Sequence, residues 1–144
     1  SRDTSSYKIV RRGQIAYPSN HVEEGSIGIQ DLYEKALVSP IYVVFSVNED
    51  VDPFYVHRLF KLEKYRQEFA TATCSSVDRR GSLRWPAFSE IKVKLPPFDE
   101  QKEIARIILE MEAEVDAMDL KLSKARHLKQ AMMQELLTGR IRLV

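Results

Sequence analysis

The stretch DEQKEIARIILEMEAEVDAMDLKLSKARHLKQAMMQELLT, residues 99–138, contains neither proline nor glycine. A helix of that length, at 1.5 Å per residue, runs roughly 60 Å, about twice the breadth of a compact domain of this size. Its apolar positions fall at Ile104, Ile108, Met111, Val115, Met118, Leu122, Ala125, Met132 and Leu136, with Lys129 as the polar interruption. Alternating steps of four and three are the a/d rhythm of a coiled coil, so a second helix is expected to cover this seam.

The charges indicate how that second helix lies. Residues 99–119 carry eight acids against two bases, and residues 120–144 carry six bases against the single acid Glu135, so the two halves are net −6 and net +5. Acids near a helix N-terminus and bases near its C-terminus suit the macrodipole, but that effect fades within a turn and does not account for a bias this long. An antiparallel partner sets opposite signs against each other at both ends, whereas a parallel copy sets like against like. The expected arrangement is an antiparallel pair with another copy or with a homologous helix.

The rest of the 144-residue chain has room for one modest domain, and 44% hydrophobic with 30% charged residues is ordinary globular composition. No apolar run reaches the roughly 18 residues of a membrane span, and the first residues are not signal-like, so a cytoplasmic location is expected. The single cysteine, Cys74, has no internal disulfide partner and no neighbouring histidine in sequence. His21, His57 and His127 are scattered without ligand spacing, so neither a metal site nor a cofactor is expected. With no glycine-rich phosphate loop and no Ser/His/Asp grouping, the sequence reads as a non-catalytic binder or scaffold.

Residues 1–98 pattern as a small mixed α/β domain, making the whole chain α+β, with the division at 98/99. The alternation in 35–47 places Ile41, Val43, Phe45 and Val47 on one face of a strand that Pro40 opens. Tyr7–Val10 and Gln14–Tyr17 read as shorter strands flanking the turn Arg11-Arg12-Gly13, a hairpin. Asp52-Pro53 marks the start of one helix reaching about Ala70, with Tyr55, Val56, Leu59, Phe60, Leu62 and Phe69 on its apolar face. Residues 20–34 read as a loop and short strand. Ile91, Val93 and Leu95 alternate with Lys92 and Lys94 as a last strand that Pro96-Pro97 stops, and Asp99 is placed to cap the long helix.

Net charge is +1 for the chain, and +2 for residues 1–98 with their 14 bases and 12 acids, so affinity for a polyanion has to come from local clusters. Two clusters stand out. Arg79, Arg80, Ser82 and Arg84 gather around Gly81, and arginine forks suit both phosphate oxygens and the O6/N7 edge of guanine. Tyr7, Lys8, Arg11 and Arg12 gather at the hairpin. Both clusters are equally readable as solvated turn residues, and Trp85 reads as a packing anchor.

The segment Leu83 to Ala105 resembles the junction between target recognition domain and conserved helix in the specificity subunits of type I restriction-modification systems. The matching motifs are Ile-x-Val-x-Leu-Pro-Pro at Ile91 to Pro97 and Glu-Gln-x-x-Ile-Ala at Glu100 to Ala105. Leu136-Leu-Thr-Gly-Arg-Ile141 resembles the family's helix ending, and Val38-Ser-Pro-Ile-Tyr42 resembles a strand of its recognition domain. The resemblance implies a part that performs no chemistry itself. Such a part reads one half of a bipartite site in double-stranded DNA and docks methyltransferase subunits, which use S-adenosylmethionine, and ATP-driven nuclease subunits. Family subunits have two recognition domains and two antiparallel helices. This chain corresponds to one partial domain and one helix, as expected of a C-terminal fragment, a truncated gene product or a half-subunit that restores two-fold symmetry by dimerising. The alternative reading is a coiled-coil adaptor or dimerisation module that does not bind DNA.

Overall fold

The structure is a computed structural model describing residues 5–75 and 82–143. It is α+β: small antiparallel sheets, short helices, and one long C-terminal helix. Strand β1 (Lys8–Arg11) pairs with β4 (Lys35–Val38), and β2 (Ile15–Pro18) lies between β3 (Gly28–Ile29) and β5 (Tyr42–Phe45). The helices are α1 (Pro53–Phe60), α2 (Glu63–Ser75), α3 (Trp85–Ser89) and α4 (Phe98–Leu137).

The strands expected at the N-terminus form, but not as a hairpin. Arg12 and Gly13 do make a turn, closed by the Gln14 N–H on the Arg11 carbonyl at 3.0 Å, with Gly13 at φ 82°, where only glycine sits without strain. Residue 30, however, takes the groups a hairpin ladder would need. Gly13 N–H donates to the Gln30 carbonyl at 2.7 Å, and Gln30 N–H to the Gln14 carbonyl at 2.9 Å. So β1 and β2 enter different sheets, in registers running from Lys8↔Val38 to Arg11↔Lys35 and from Ile15↔Phe45 to Pro18↔Tyr42. The single strand expected over 35–47 is likewise two, β4 and β5. Pro40 has no N–H to continue a ladder, and the Tyr42 N–H closes a turn on the Ser39 carbonyl at 3.0 Å.

The helix expected from Asp52 to Ala70 also divides. Asp52 caps α1 as anticipated, its Oδ1 accepting from the Tyr55 N–H at 2.8 Å with Pro53 following. The helix then stops at Lys61, and α2 begins two residues later. Nine residues of straight helix rotate by about 180°, which would put Phe60 and Phe69 on opposite faces. The break lets both reach the same core, ring centroids 5.5 Å apart. His57, 8% exposed, fixes α1 to the sheet side: Nε2 donates to the Ile27 carbonyl at 3.2 Å, while Nδ1 accepts from the Arg58 guanidinium.

Phe88 is the centre of that core. It stacks on Tyr17 (4.6 Å) and Phe69 (5.5 Å) and meets Phe60 edge-on (5.6 Å). Leu83, Ile15, Val22, Ile27, Val56 and Tyr65 complete the buried cluster. The strand expected over Ile91–Leu95 is absent; the segment carries no ladder hydrogen bonds. Ile91 and Val93 still pack on the core while Lys92 and Lys94 stay exposed, because alternation reports which side is wet and not whether a neighbouring strand is present.

The long helix runs one residue ahead of its expected start. Gln101 N–H donates to the Pro97 carbonyl at 3.0 Å, so Asp99 lies in the first turn, paired with Lys102 at 3.1 Å, and does not cap it. The other end is a Schellman motif. Gly139, at φ 71°, donates to the Leu136 carbonyl at 3.2 Å, and Arg140 N–H reaches back to Glu135 at 3.0 Å. The Thr-Gly-Arg of the sequence motif is therefore a helix stop. Contacts divide the described residues into two compact units between Ala105 and Arg106, inside α4.

Candidate nucleic-acid interface

Binding a polyanion needs cations beside a surface that admits it, and one concavity of the first unit has both. It encloses about 730 Å³ and is lined by Lys8, Ile9, Arg11, Gln14, Val43, Val44, Phe45 and Trp85. The lining holds two bases, an amide and an exposed indole, with no acid among them. A second cleft, about 410 Å³, is bordered by Val10, Ala16, Ile27, Ala36, Val38 and Tyr42 among others and has no charged group in its lining, so it suits no phosphate.

The site is built from strand ends. Antiparallel pairing brings β1 beside β4, and the Lys8 ammonium donates to the Tyr42 carbonyl at 2.6 Å, tying the β1–β4 pair to the start of β5. Arg11 ends β1; its backbone N–H is held by Gln14 Oε1 at 2.7 Å, and its guanidinium has no hydrogen bond or ion pair among the described residues. Gln14 also donates from Nε2 to the Ser46 hydroxyl at 3.1 Å. Trp85, the first residue of α3, leans on Phe45 (5.4 Å) and Phe88 (5.9 Å) yet remains 45% exposed. It is a packing anchor, as expected, and also a wall of the concavity.

The residues singled out from sequence separate into distinct positions. Lys8 and Arg11 line the concavity, and Tyr7 is exposed just before β1. Arg12 points elsewhere: Nε meets Glu34 at 2.8 Å, and the two terminal nitrogens donate to the carbonyls of Asp31 (2.7 Å) and Leu32 (3.2 Å). Each of its three nitrogens donates one hydrogen bond to the segment before β4. Ser82 is buried at 6% exposure in a bridge between its own backbone and Asn20, while Leu83 N–H donates to the Ser19 carbonyl at 2.7 Å. Arg84 is exposed at the N-terminus of α3, next in sequence to Trp85. Arg79 and Arg80 lie outside the described residues. Gln14 and Trp85 were missed as wall residues, and only Gln14's place directly after a glycine turn hints at its position.

The family comparison spans more than this site. A family model described as the type I restriction modification DNA specificity domain matches residues 3–124, that is, the α/β part together with two thirds of α4. The chain belongs to that family. A protein of Methanocaldococcus jannaschii, provisionally named as the type I restriction enzyme MjaX specificity subunit, is 24% identical over 144 residues, covering 94% of this chain and 32% of that protein. The chain thus spans about a third of the length of this relative. Membership supports a role in DNA sequence specificity, and the family is defined by specificity and not by catalysis. Among the described residues there is no grouping of His, Cys, Asp or Glu that could hold a metal ion, and no helix long and apolar enough to cross a membrane.

The seam of α4 stands open over most of its length. Met111, Val115, Met118 and Leu122 are 61%, 57%, 55% and 47% exposed, and Ala125 and Met132 are also exposed. Ile108, Met111 and Val115 border a shallow groove of about 330 Å³ flanked by Glu112 and Asp116. Ile104 and Leu136, at the two ends of the seam, are half-buried.

Proposed function

We propose that this chain is a DNA sequence-specificity module of a type I restriction-modification system, reading one half of a bipartite site in double-stranded DNA. Residues 1–98 act as the reading domain and residues 99–144 as the pairing helix. The observation that carries this reading is the extent of the family match, which runs through the α/β part and on into α4. Lys8, Arg11 and Arg84 supply charge, and Arg79 and Arg80 are the further bases that the sequence offers. Trp85 and Gln14 wall the concavity in which base edges or sugars are met. The open seam and the reversal of charge along α4 support an antiparallel homodimer, which restores two reading domains. The paired helices then serve as the platform for methyltransferase and nuclease subunits of the same system. The module does no chemistry and holds no cofactor, and it works in the cytoplasm where DNA is.

Co-expression with the methyltransferase subunit of a matching system, followed by sizing of the complex and mapping of methylated bases, tests this directly. The expected result is a stable complex that methylates a two-part, spaced motif. A large dimer with no salt-dependent DNA affinity, even beside the methyltransferase, would replace this reading with the coiled-coil adaptor.

A further inference from the structure

Gln101 is 2% exposed, and neither the seam nor the basic concavity uses it. Its carboxamide has three partners, all backbone groups from segments outside any helix or strand. Oε1 accepts from the Asp52 N–H at 3.0 Å, and Nε2 donates to the carbonyls of Pro96 (2.9 Å) and Asp50 (3.4 Å). Asp52 is itself the cap of α1. One side chain in the first turns of α4 therefore links the start of the long helix to the start of α1, 49 residues earlier in the chain.

Only glutamine among residues of this size can serve here, because the site asks for an acceptor at one end and donors at the other. Glutamate keeps the acceptor and loses both donors; methionine keeps the volume and loses all three bonds. The bonds are also directional. Rotating α4 about its axis by one residue, about 100°, carries the carboxamide away from every partner. Ala105, one turn on and 4% exposed, lets the same face approach the domain closely but has no polar atom to choose a rotation.

We propose that Gln101 is a positioning residue, which locks the rotation and tilt of the first turn of α4 against the N-terminus of α1 and thereby sets how narrowly the protein selects the spacing between the two half-sites. The spacing consequence rests on the half-site reading above; the latch itself does not. A long helix magnifies its root: a tilt of roughly 10° displaces the end of a roughly 60 Å helix by about 10 Å, about three base-pair rises of DNA.

Two measurements on the full chain decide the matter. In the first, amide hydrogen exchange is compared in wild type and Gln101→Met. The Asp52 amide is expected to exchange at least about tenfold faster in the variant, while Tyr17 and Phe69 in the core keep their protection; an unchanged Asp52 amide overturns the latch. Should Gln101→Met fail to keep core protection, Gln101→Glu, which preserves shape and the acceptor, takes its place and is read by the second measurement. That one uses the complex with the methyltransferase subunit and a set of DNAs carrying the mapped half-sites at spacings from two base pairs short to two long. Wild type is expected to methylate one spacing, and the variants to spread methylation over its neighbours with at least about a fivefold loss of preference and unchanged half-site sequence. Variants that keep the wild-type spacing preference would overturn the positioning role even if the Asp52 amide is freed. If wild type methylates no two-part motif, the specificity reading fails and the spacing role falls with it, and the exchange result still decides the latch alone.

Discussion

Phe69 and Met118 are both large apolar side chains on helices, yet Phe69 is completely buried and Met118 is 55% exposed. The same contrast holds throughout. Every buried apolar residue of the described core lies at or before Ala105, while the large apolar residues from Ile107 to Met133 are exposed apart from the half-buried Ile108. Burial of apolar area stabilises the first region from within. In the second region the backbone bonds of α4 are satisfied along the helix, but its apolar seam is exposed and would leave water only in the pairing proposed above. Substitutions of equal size should therefore be read by different instruments: a denaturation curve for the first region, an association constant for the second.

The largest effect is expected on the seam. Replacing Met111, Val115 and Met118 together by Asp removes three apolar side chains worth roughly 1.5–3 kcal/mol each on full burial, and adds three charges to the proposed interface. Sedimentation should show monomers, while the unfolding of the α/β part stays near wild type; a surviving dimer places the interface elsewhere. Next in size, Phe69→Ala opens a cavity beside Phe60 and Phe88 and should cost about 3–5 kcal/mol in denaturant unfolding, with the seam still able to pair. An effect below about 1 kcal/mol would mean that the aromatic cluster is not the source of stability.

Tyr17 gives the first region a pH signature of its own. Its hydroxyl is buried without a hydrogen-bond partner among the described residues, and desolvation raises its pKa well above the ordinary 10.0. The folded state holds the phenolic proton more tightly than the unfolded chain does. This contribution is therefore complete below about pH 10 and is lost above it at roughly 1.4 kcal/mol per pH unit. Tyr17→Phe should remove that slope, leaving the contribution of Tyr55, also raised by burial, and should not destabilise at neutral pH. An unchanged alkaline slope would locate the titration in another group.

The smallest effect sharpens a contrast inside the interface. If the concavity meets phosphates, Arg11→Ala should lower the slope of log affinity against log salt by about one unit, whereas Arg12→Ala should leave it in place because that guanidinium is committed to the 31–34 loop. Equal losses for the two arginines would mean that Arg12 exchanges its loop partners for DNA.

Local signals were legible where one short rule governs. The Asp52-Pro53 start of α1, the glycine turn at Gly13 and the length of α4 follow from capping, backbone permissiveness and the lack of breakers. Pairing was not legible. The residues around Arg12 have the look of a hairpin, and only the arrival of Gln30 shows that their N–H and C=O groups are taken. The basic residues were identifiable as a set, but not their division of labour. Lys8, Arg11 and Arg12 are neighbours in sequence, and alternation along β1 together with the loop before β4 sends Arg12 to Glu34 while Arg11 keeps to the concavity. Gln101 was visible as a motif letter, but its three partners are as many as 51 residues away in sequence and carry no side-chain signature.

By itself the sequence determined the long helix, its apolar seam, the reversal of charge along it and the family motifs at its two ends, because each depends on spacing along a single element. Tertiary structure alone decided which strands share a sheet, where the aromatic helix breaks, which arginine faces outward, and that the glutamine of the Glu-Gln motif anchors α4. Those outcomes depend on competition for backbone hydrogen bonds and core volume between segments far apart in the chain. Such competition is settled only when the segments meet.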